Sequence, residues 1–277
     1  MTLTRKEVLG LLEQHDLRPS RALGQNFVVD PNTVRRIARL SGVGPGDRVL
    51  EIGAGLGSLT VALAETGAEV VAVERDRRLL PALLPLVEPL GVRVVQGDAL
   101  SLDWPAVLGP GDGWIMVANL PYNVAVPLVM DLLQKVEGIS RMLVMVQREV
   151  AARLAARAGE EAYGAVSVKV AYRARASVVG RVPSTVFIPK PRVESALVAI
   201  ERLDEPAVSA DEDLLFTLVK AGFAHRRKML RRALAGLASE EVLVAAGVNP
   251  EARAEELDIE SWGRLAECAT HSERSPS

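Results

Sequence analysis

The chain of 277 residues contains one cysteine, Cys268, and three histidines. A lone thiol excludes an internal disulfide and a cysteine-based zinc site, and the scattered histidines add no ligand spacing, so no metal is expected. No apolar stretch approaches the roughly 20 residues needed to cross a bilayer, because charge, glycine or proline interrupts each one. The N-terminus, MTLTRKEVLGLLEQHD, alternates charge with leucine as an amphipathic helix does. It lacks the apolar core and small-residue cleavage site of a secretory signal, so a cytoplasmic protein without membrane contact is expected. The net charge of -2 and a pI near 6.0 provide no overall cationic field to attract nucleic acid. Internal repeats and low-complexity segments are also missing.

The basic charge that is present is segregated. Lysine and arginine dominate from Arg141 to Arg192 and again from Leu214 to Ser239, whereas Glu240 to Glu260 is acidic. Most of the cations are arginine, whose planar guanidinium suits phosphate better than an ammonium does, although codon usage can also raise arginine content.

Four apolar runs rich in β-branched residues, RVLEIGAG (48–55), AEVVAVE (68–74), VRVVQGD (92–98) and WIMVAN (114–119), read as buried parallel strands. Helical patterns such as SLTVALAETG and RRLLPALLPLVEPL separate them, the alternation of a doubly wound α/β sheet. MLVMVQ (142–147) reads as a fifth strand followed by a helix over REVAARLAARAG. Residues 163–175 fit either a strand or a helix, and 178–182 and 195–203 read as closing strands. After Leu203 a polar, proline-containing connector leads to helices only. One domain boundary is therefore expected there, giving 1–203, with an N-terminal helical segment over 1–40, and 204–277. The tail HSERSPS reads as disordered.

Ligands of open α/β sheets sit beyond the carboxyl ends of strands. There the turn EIGAGLG carries Gly53, Gly55 and Gly57, two residues after Glu51. Its G-x-G-x-G spacing differs from the dinucleotide G-x-G-x-x-G pattern and favours S-adenosylmethionine, which has no pyrophosphate to cradle. Glu74 ends the second strand, where a carboxylate can accept from both ribose hydroxyls; the alternative is a solvated strand end. Asp98 could accept from an adenine amino group or could close an Asx turn.

The fourth strand stops at VANLPYNV (117–124). An exocyclic adenine nitrogen is a poor nucleophile because its lone pair is delocalised into the ring. Two acceptors, the Asn119 side-chain oxygen and the Leu120 carbonyl, would draw it toward tetrahedral geometry. Pro121 holds Leu120 extended and aims that carbonyl. Tyr122 offers a stacking face for an extruded base, worth about 1–3 kcal/mol against the few lost on unstacking.

At these residues the chain resembles the ribosomal RNA adenine N6,N6-dimethyltransferases, most closely the bacterial small-subunit branch known as KsgA/RsmA. The likeness runs through LGQNFVVD (23–30), EIGAGLGSLT, VERDRRL, GDAL, ANLPYNV, QREVAARL with YGAVSV, VPSTVFIPKPRVES (182–195) and FAHRRKMLRRAL (223–234). It implies a Rossmann-like class I methyltransferase sheet with a small C-terminal helical domain. Gln25, Asn26, Val28, Gly53, Gly55, Glu74, Asp98 and Asn119 would bind S-adenosylmethionine, and Phe187 would pair with Tyr122 around the target base. Val28 departs from the leucine usual in the family. The implied substrate is a pair of adjacent adenosines in the 3′-terminal hairpin of 16S rRNA, within the small ribosomal subunit or its precursor, acted on by a monomer with a role in subunit assembly. The alternatives are the Erm type of large-subunit enzyme, an assembly factor that acts mainly by binding, and, more distantly, a dehydrogenase.

In FTLVKAGFAHRRKMLRRALAGL, Phe216, Val219, Phe223, Leu230 and Leu234 fall at helical spacing. On the other side Arg227 with Arg231, and Lys228 with Arg232, recur four apart. Together with Arg226 these cations read as a phosphate-binding face, with a solvated helix surface as the alternative.

Overall fold

The computed structural model describes residues 2–273, with side chains as far as Thr270. Two compact units divide the chain, Met1–Ala151 with Ser177–Arg202, and Ala152–Ala176 with Leu203–Ser277.

The first unit is built on the strands the sequence marks. They are β2 (Arg48–Ile52), β3 (Glu69–Glu74), β4 (Arg93–Gln96), β5 (Trp114–Asn119) and β6 (Ile139–Gln147), with β7 (Ala174–Val182) and β9 (Ser195–Arg202) completing a sheet of order β4-β3-β2-β5-β6-β9-β7. The first five run parallel, Leu50 lying between Val71 and Met116, and β9 pairs antiparallel with β6. Their continuous apolar runs are buried on both faces, Val49, Leu50, Met116, Val117 and Val144 all having no measurable exposure. Crossover helices α3 (Ser58–Ala64), α4 (Leu80–Val87), α5 (Trp104–Leu108) and α6 (Ala125–Lys135) join successive strands. Strand order reverses between β2 and β5, which opens a crevice at their carboxyl ends.

Two helices precede the sheet, as expected for the N-terminal segment. Helix α1 (Arg5–Gln14) begins with a reciprocal cap: Glu7 accepts from the Thr4 N–H at 2.7 Å, and Thr4 Oγ1 accepts from the Glu7 N–H. Helix α2 (Pro31–Ser41) is capped by Asp30, which accepts from the Thr33 N–H at 2.9 Å. Between them lies a pairing that sequence patterning missed. Two-residue strands β1 (Phe27–Val28) and β8 (Phe187–Ile188) pair antiparallel, Val28 opposite Phe187. Runs this short carry no detectable period.

The second unit is helical and begins earlier than the single boundary expected after Leu203. Helix α7 (Arg148–Ala155) leads into it, and α8 (Ala165–Arg173) settles the ambiguous stretch as a helix followed by the start of β7. Residues 152–176 belong to this unit because α8 buries Val168 and Tyr172 in its core, around Leu215, Leu218 and Trp262. The Tyr163 hydroxyl donates to the Leu257 carbonyl at 2.7 Å, and burial raises its pKa. The arginine-rich segment is not one helix. Helix α9 (Glu212–Ala224) stops, a turn follows, and a short α10 (Leu230–Ala233) restarts where the Leu230 and Arg231 N–H groups donate to the carbonyls of Ala252 and Pro250. Phe216, Val219, Phe223, Leu230 and Leu234 still reach the same core. Helices α11 (Glu240–Ala245) and α12 (Ile259–Glu273) complete the unit. The expected tail disorder falls partly on α12 and otherwise outside the described residues.

Candidate active site

The carboxyl ends of β2, β3 and β5 and the turn after β4 open onto a cleft of about 140 Å³, entirely within the first unit. One wall is the turn between β2 and α3. Gly55 has φ +59°, and a Cβ there would lie 3.1 Å from the Phe27 ring, so both conformation and packing require glycine. Its N–H donates to Glu74 Oε2 at 2.7 Å, while the Asp76 N–H donates to Oε1 at 2.7 Å. Each oxygen of Glu74 keeps acceptor capacity for a ligand. Burial pushes the Glu74 carboxyl up, against the pull of those two N–H bonds.

Beside it lies Glu51, 1% exposed, lining the cleft with an Oε2 that has no hydrogen-bond partner among the described residues. Burial, with the nearby Glu74 charge, pushes its pKa up to about 8. The Ser58 hydroxyl, also on the cleft wall, is likewise buried and unpartnered. Buried polar atoms left open in this way cost free energy unless a ligand or water completes them. Asp98 lines the cleft as well. Its Oδ1 accepts from the Leu100 N–H at 3.1 Å, an Asx turn, and its Oδ2 lies 3.3 Å from Arg75, so the turn and a ligand-facing position coexist.

The opposite wall is the end of β5. The Asn119 amide nitrogen donates to the Asn26 carbonyl at 3.0 Å, which orients the carboxamide with Oδ1 as its uncommitted acceptor. Asn26 in turn donates to the Gly24 carbonyl at 3.1 Å. Gly24, at φ +64°, packs so tightly that a Cβ would lie 3.0 Å from Pro121. Gln25 ties the same loop down: its Oε1 accepts from the Ser20 N–H at 2.7 Å and its Nε2 donates to Asp76 at 3.0 Å. Hydrogen bonds from Arg78, and then from Gln25, hold Asp76 down to about 2. Gln25 and Val28 therefore line the cleft while the Gln25 carboxamide is occupied within the protein.

Leu120 as a whole residue is 1% exposed and, unlike its neighbours Asn119 and Pro121, does not line the cleft; its N–H donates to the Met145 carbonyl at 3.1 Å. Its own carbonyl accepts no hydrogen bond from the described residues. The Pro121 carbonyl accepts from Val124 and Ala125 and starts α6. Tyr122 faces the cleft, and its hydroxyl is 2.9 Å from Ser195 Oγ, a fully buried group at the start of β9. Phe187 does not join it. Paired to Val28, Phe187 is 1% exposed in the main core and does not line the cleft, so the expected two-ring arrangement is corrected to Tyr122 alone.

The five cations expected to hold phosphate lie in the second unit and divide into two groups. Arg226 is bound to Glu255 at 2.6 Å and to the Glu161 carbonyl, and Arg231 pairs with Glu251 at 3.3 Å and Glu240 at 3.7 Å. Arg227, Lys228 and Arg232 are exposed and have no ion pair among the described residues. The helix break removes the common face expected from four-residue spacing.

A family profile described as ribosomal RNA adenine dimethylase matches residues 17–271. The chain belongs to that family. Similar relatives are the ribosomal RNA small subunit methyltransferases A of Thermobifida fusca, 46% identical over 96% of this chain and 95% of the relative, and of Nocardia farcinica, 47% identical over 94% and 93%. Among solved structures, a dimethyladenosine transferase from Plasmodium falciparum shares the fold, with a TM-score of 0.73 and 23% identity over 85% of this chain and 94% of that one. The 23S rRNA methyltransferase ErmE aligns with a TM-score of 0.69 and 25% identity over 88% and 99%.

Membership in the dimethylase family implies S-adenosylmethionine as methyl donor. The cleft fits it, with a glycine turn for close approach, the two carboxylate oxygens of Glu74, and the unpartnered Glu51 Oε2 and Ser58 hydroxyl beside them. Among the described residues no His, Cys, Asp and Glu cluster could hold a metal ion, and no helix is long and apolar enough to cross a membrane. Sequence reading passed over Ser58 and Ser195 as site residues. Glu51 was visible as a charge inside an apolar strand, but Ser195 becomes relevant only through its contact with Tyr122.

Proposed function

We propose that this dimethylase transfers methyl groups to N6 of two adjacent adenosines near the 3′ end of the small-subunit rRNA, four transfers in all, during subunit assembly. The observation that carries the reading is the pair of open acceptors at the end of β5. Asn119 Oδ1 is left uncommitted because the amide nitrogen is spent on Asn26, and the Leu120 carbonyl stands next in the chain.

S-adenosylmethionine, when bound, supplies an electrophilic methyl group on a sulfonium. The protein supplies position and polarisation. The two oxygens accept hydrogen bonds from the adenine amino group and draw its nitrogen toward tetrahedral geometry, lone pair outward. Pro121 holds the Leu120 peptide extended, and the contact of Gly24 with Pro121 fixes that segment. Tyr122, tethered by Ser195, supports the face of the extruded base. The methylated nitrogen is acidic and sheds its proton without a dedicated base. Gly53, Gly55, Glu74 and Asp98, with the loop through Asn26 and Val28, hold the donor. The exposed Arg227, Lys228 and Arg232 are available to RNA phosphate.

The small-subunit assignment follows the relatives at 46–47% identity. The likeness to ErmE favours a second reading, methylation of large-subunit RNA. Methyl incorporation into small and large subunits from an unmodified host decides between them. Dimethyladenosine in the small subunit, identified by mass spectrometry, is the expected result; label in the large subunit alone overturns it.

A further inference from the structure

A base that enters the cleft has to leave its stack, and the phosphates on its two sides then lie at the cleft mouth. Two loops flank Pro121 and Tyr122 there. The first contains the turn Arg21–Gly24, closed by the Gly24 N–H to the Arg21 carbonyl at 3.0 Å, and Gly24 abuts Pro121. The second is the segment 189–194, which leads directly into Ser195 and its bond to the Tyr122 hydroxyl. Arg21 is exposed on the first loop, and Lys190 and Arg192 are exposed on the second. None of the three forms an ion pair or side-chain hydrogen bond with a described residue. The acid of the second loop, Glu194, is engaged by Arg148 at 3.4 Å.

That freedom matters energetically. A cation already matched to a carboxylate, as Arg226 and Arg231 are, must give up its partner to bind phosphate, whereas an unpaired one releases only counterions. Arginine forks add bidentate geometry to the attraction. We propose that Arg21, Lys190 and Arg192 form a phosphate-binding rim on the first unit that grips the RNA backbone on both sides of the target adenosine. The rim does not read sequence; it holds the flanking strand while the base is inside. The proposal rests on the reading that the chain methylates RNA.

The test uses the full chain and small subunits purified from a strain lacking the modification, with binding measured over a salt series. For Arg21→Glu/Lys190→Glu/Arg192→Glu, the dissociation constant at physiological salt rises at least about tenfold, and the slope of log affinity against log salt shrinks by about 2, as expected for three lost phosphate contacts. Affinity for S-adenosylmethionine stays at the wild-type value, and the kinetic loss appears in KM rather than kcat. The comparison variant is Arg39→Glu, at the end of α2, where the chain turns toward the opposite end of the sheet. If the charge reversal prevents folding, the triple Gln variant gives the same slope measurement. A triple variant that matches Arg39→Glu in affinity and slope overturns the rim. If the wild-type protein binds these subunits but transfers no methyl group to them, the activity reading fails while the salt slope still decides the rim.

Discussion

The cleft of the first unit and the basic turn of the second treat their polar groups in opposite ways. In the cleft, Glu51 Oε2 and the Ser58 hydroxyl are left without partners although burial makes that costly, and Asn119 Oδ1 beside them is uncommitted. In the turn, two of the five cations are already matched to acids, and Arg231 is clasped by Glu240 and Glu251. Open valences in a concave, rigid wall indicate a ligand to be bound, whereas closed valences on a surface indicate structure. Cation-rich sequence alone does not separate these two cases.

The comparison breaks most sharply at Asn119. Replacing it with Ala removes an acceptor aimed at the reacting nitrogen, and single-turnover methyl transfer falls about 10²–10³-fold. If the cleft's open acceptors are incidental, the rate changes no more than cofactor affinity does.

The next largest effect is at Glu51. The folded chain keeps its proton up to about pH 8, against an ordinary 4.5. Between those values the native state binds the extra proton, so this contribution is full below 4.5 and is lost as pH rises toward 8. Glu51→Gln removes the slope and gains on the order of a few kcal/mol over wild type at the alkaline end. Denaturant unfolding at both ends of the window measures it.

Ser195→Ala frees the Tyr122 ring and lowers kcat about fivefold, the scale of one lost neutral hydrogen bond. Tyr122→Phe has a similar effect, and the double variant is no worse than either single one if the pair acts as a unit. In the second unit, Arg231→Glu sets three acids together and costs about 1 kcal/mol of stability. Arg227→Glu leaves stability unchanged and weakens only RNA binding. Thermal unfolding and subunit binding of the two variants separate the structural arginine from the available one.

Much of the first unit was legible because its signals are local. Continuous apolar runs specify buried parallel strands, and Gly53, Glu74, Asp98 and Asn119 stand at or just after strand ends in sequence as in space, whereas Gln25, Asn26 and Val28 were reached only through the family resemblance. The segments that were misread depend on distant partners. Residues 152–176 join the second unit through Val168 and Tyr172. Without the core these two fill, the alternation of Val166, Val168 and Val170 fits a strand as well as a helix. The break between α9 and α10 is set by carbonyls some twenty residues downstream. Phe187 lies between prolines that suit a binding loop and a core plug equally, and its pairing with Val28 selects the core.

The account stands on the grip of Asn119 and Leu120 on an adenine amino group. A crystal structure of the protein with an unreactive S-adenosylmethionine analogue and the small-subunit RNA hairpin measures that grip directly. The account predicts the target nitrogen about 3 Å from both Asn119 Oδ1 and the Leu120 carbonyl, with Tyr122 against the base. An amide turned to present its nitrogen, or a base seated away from both oxygens, would contradict it.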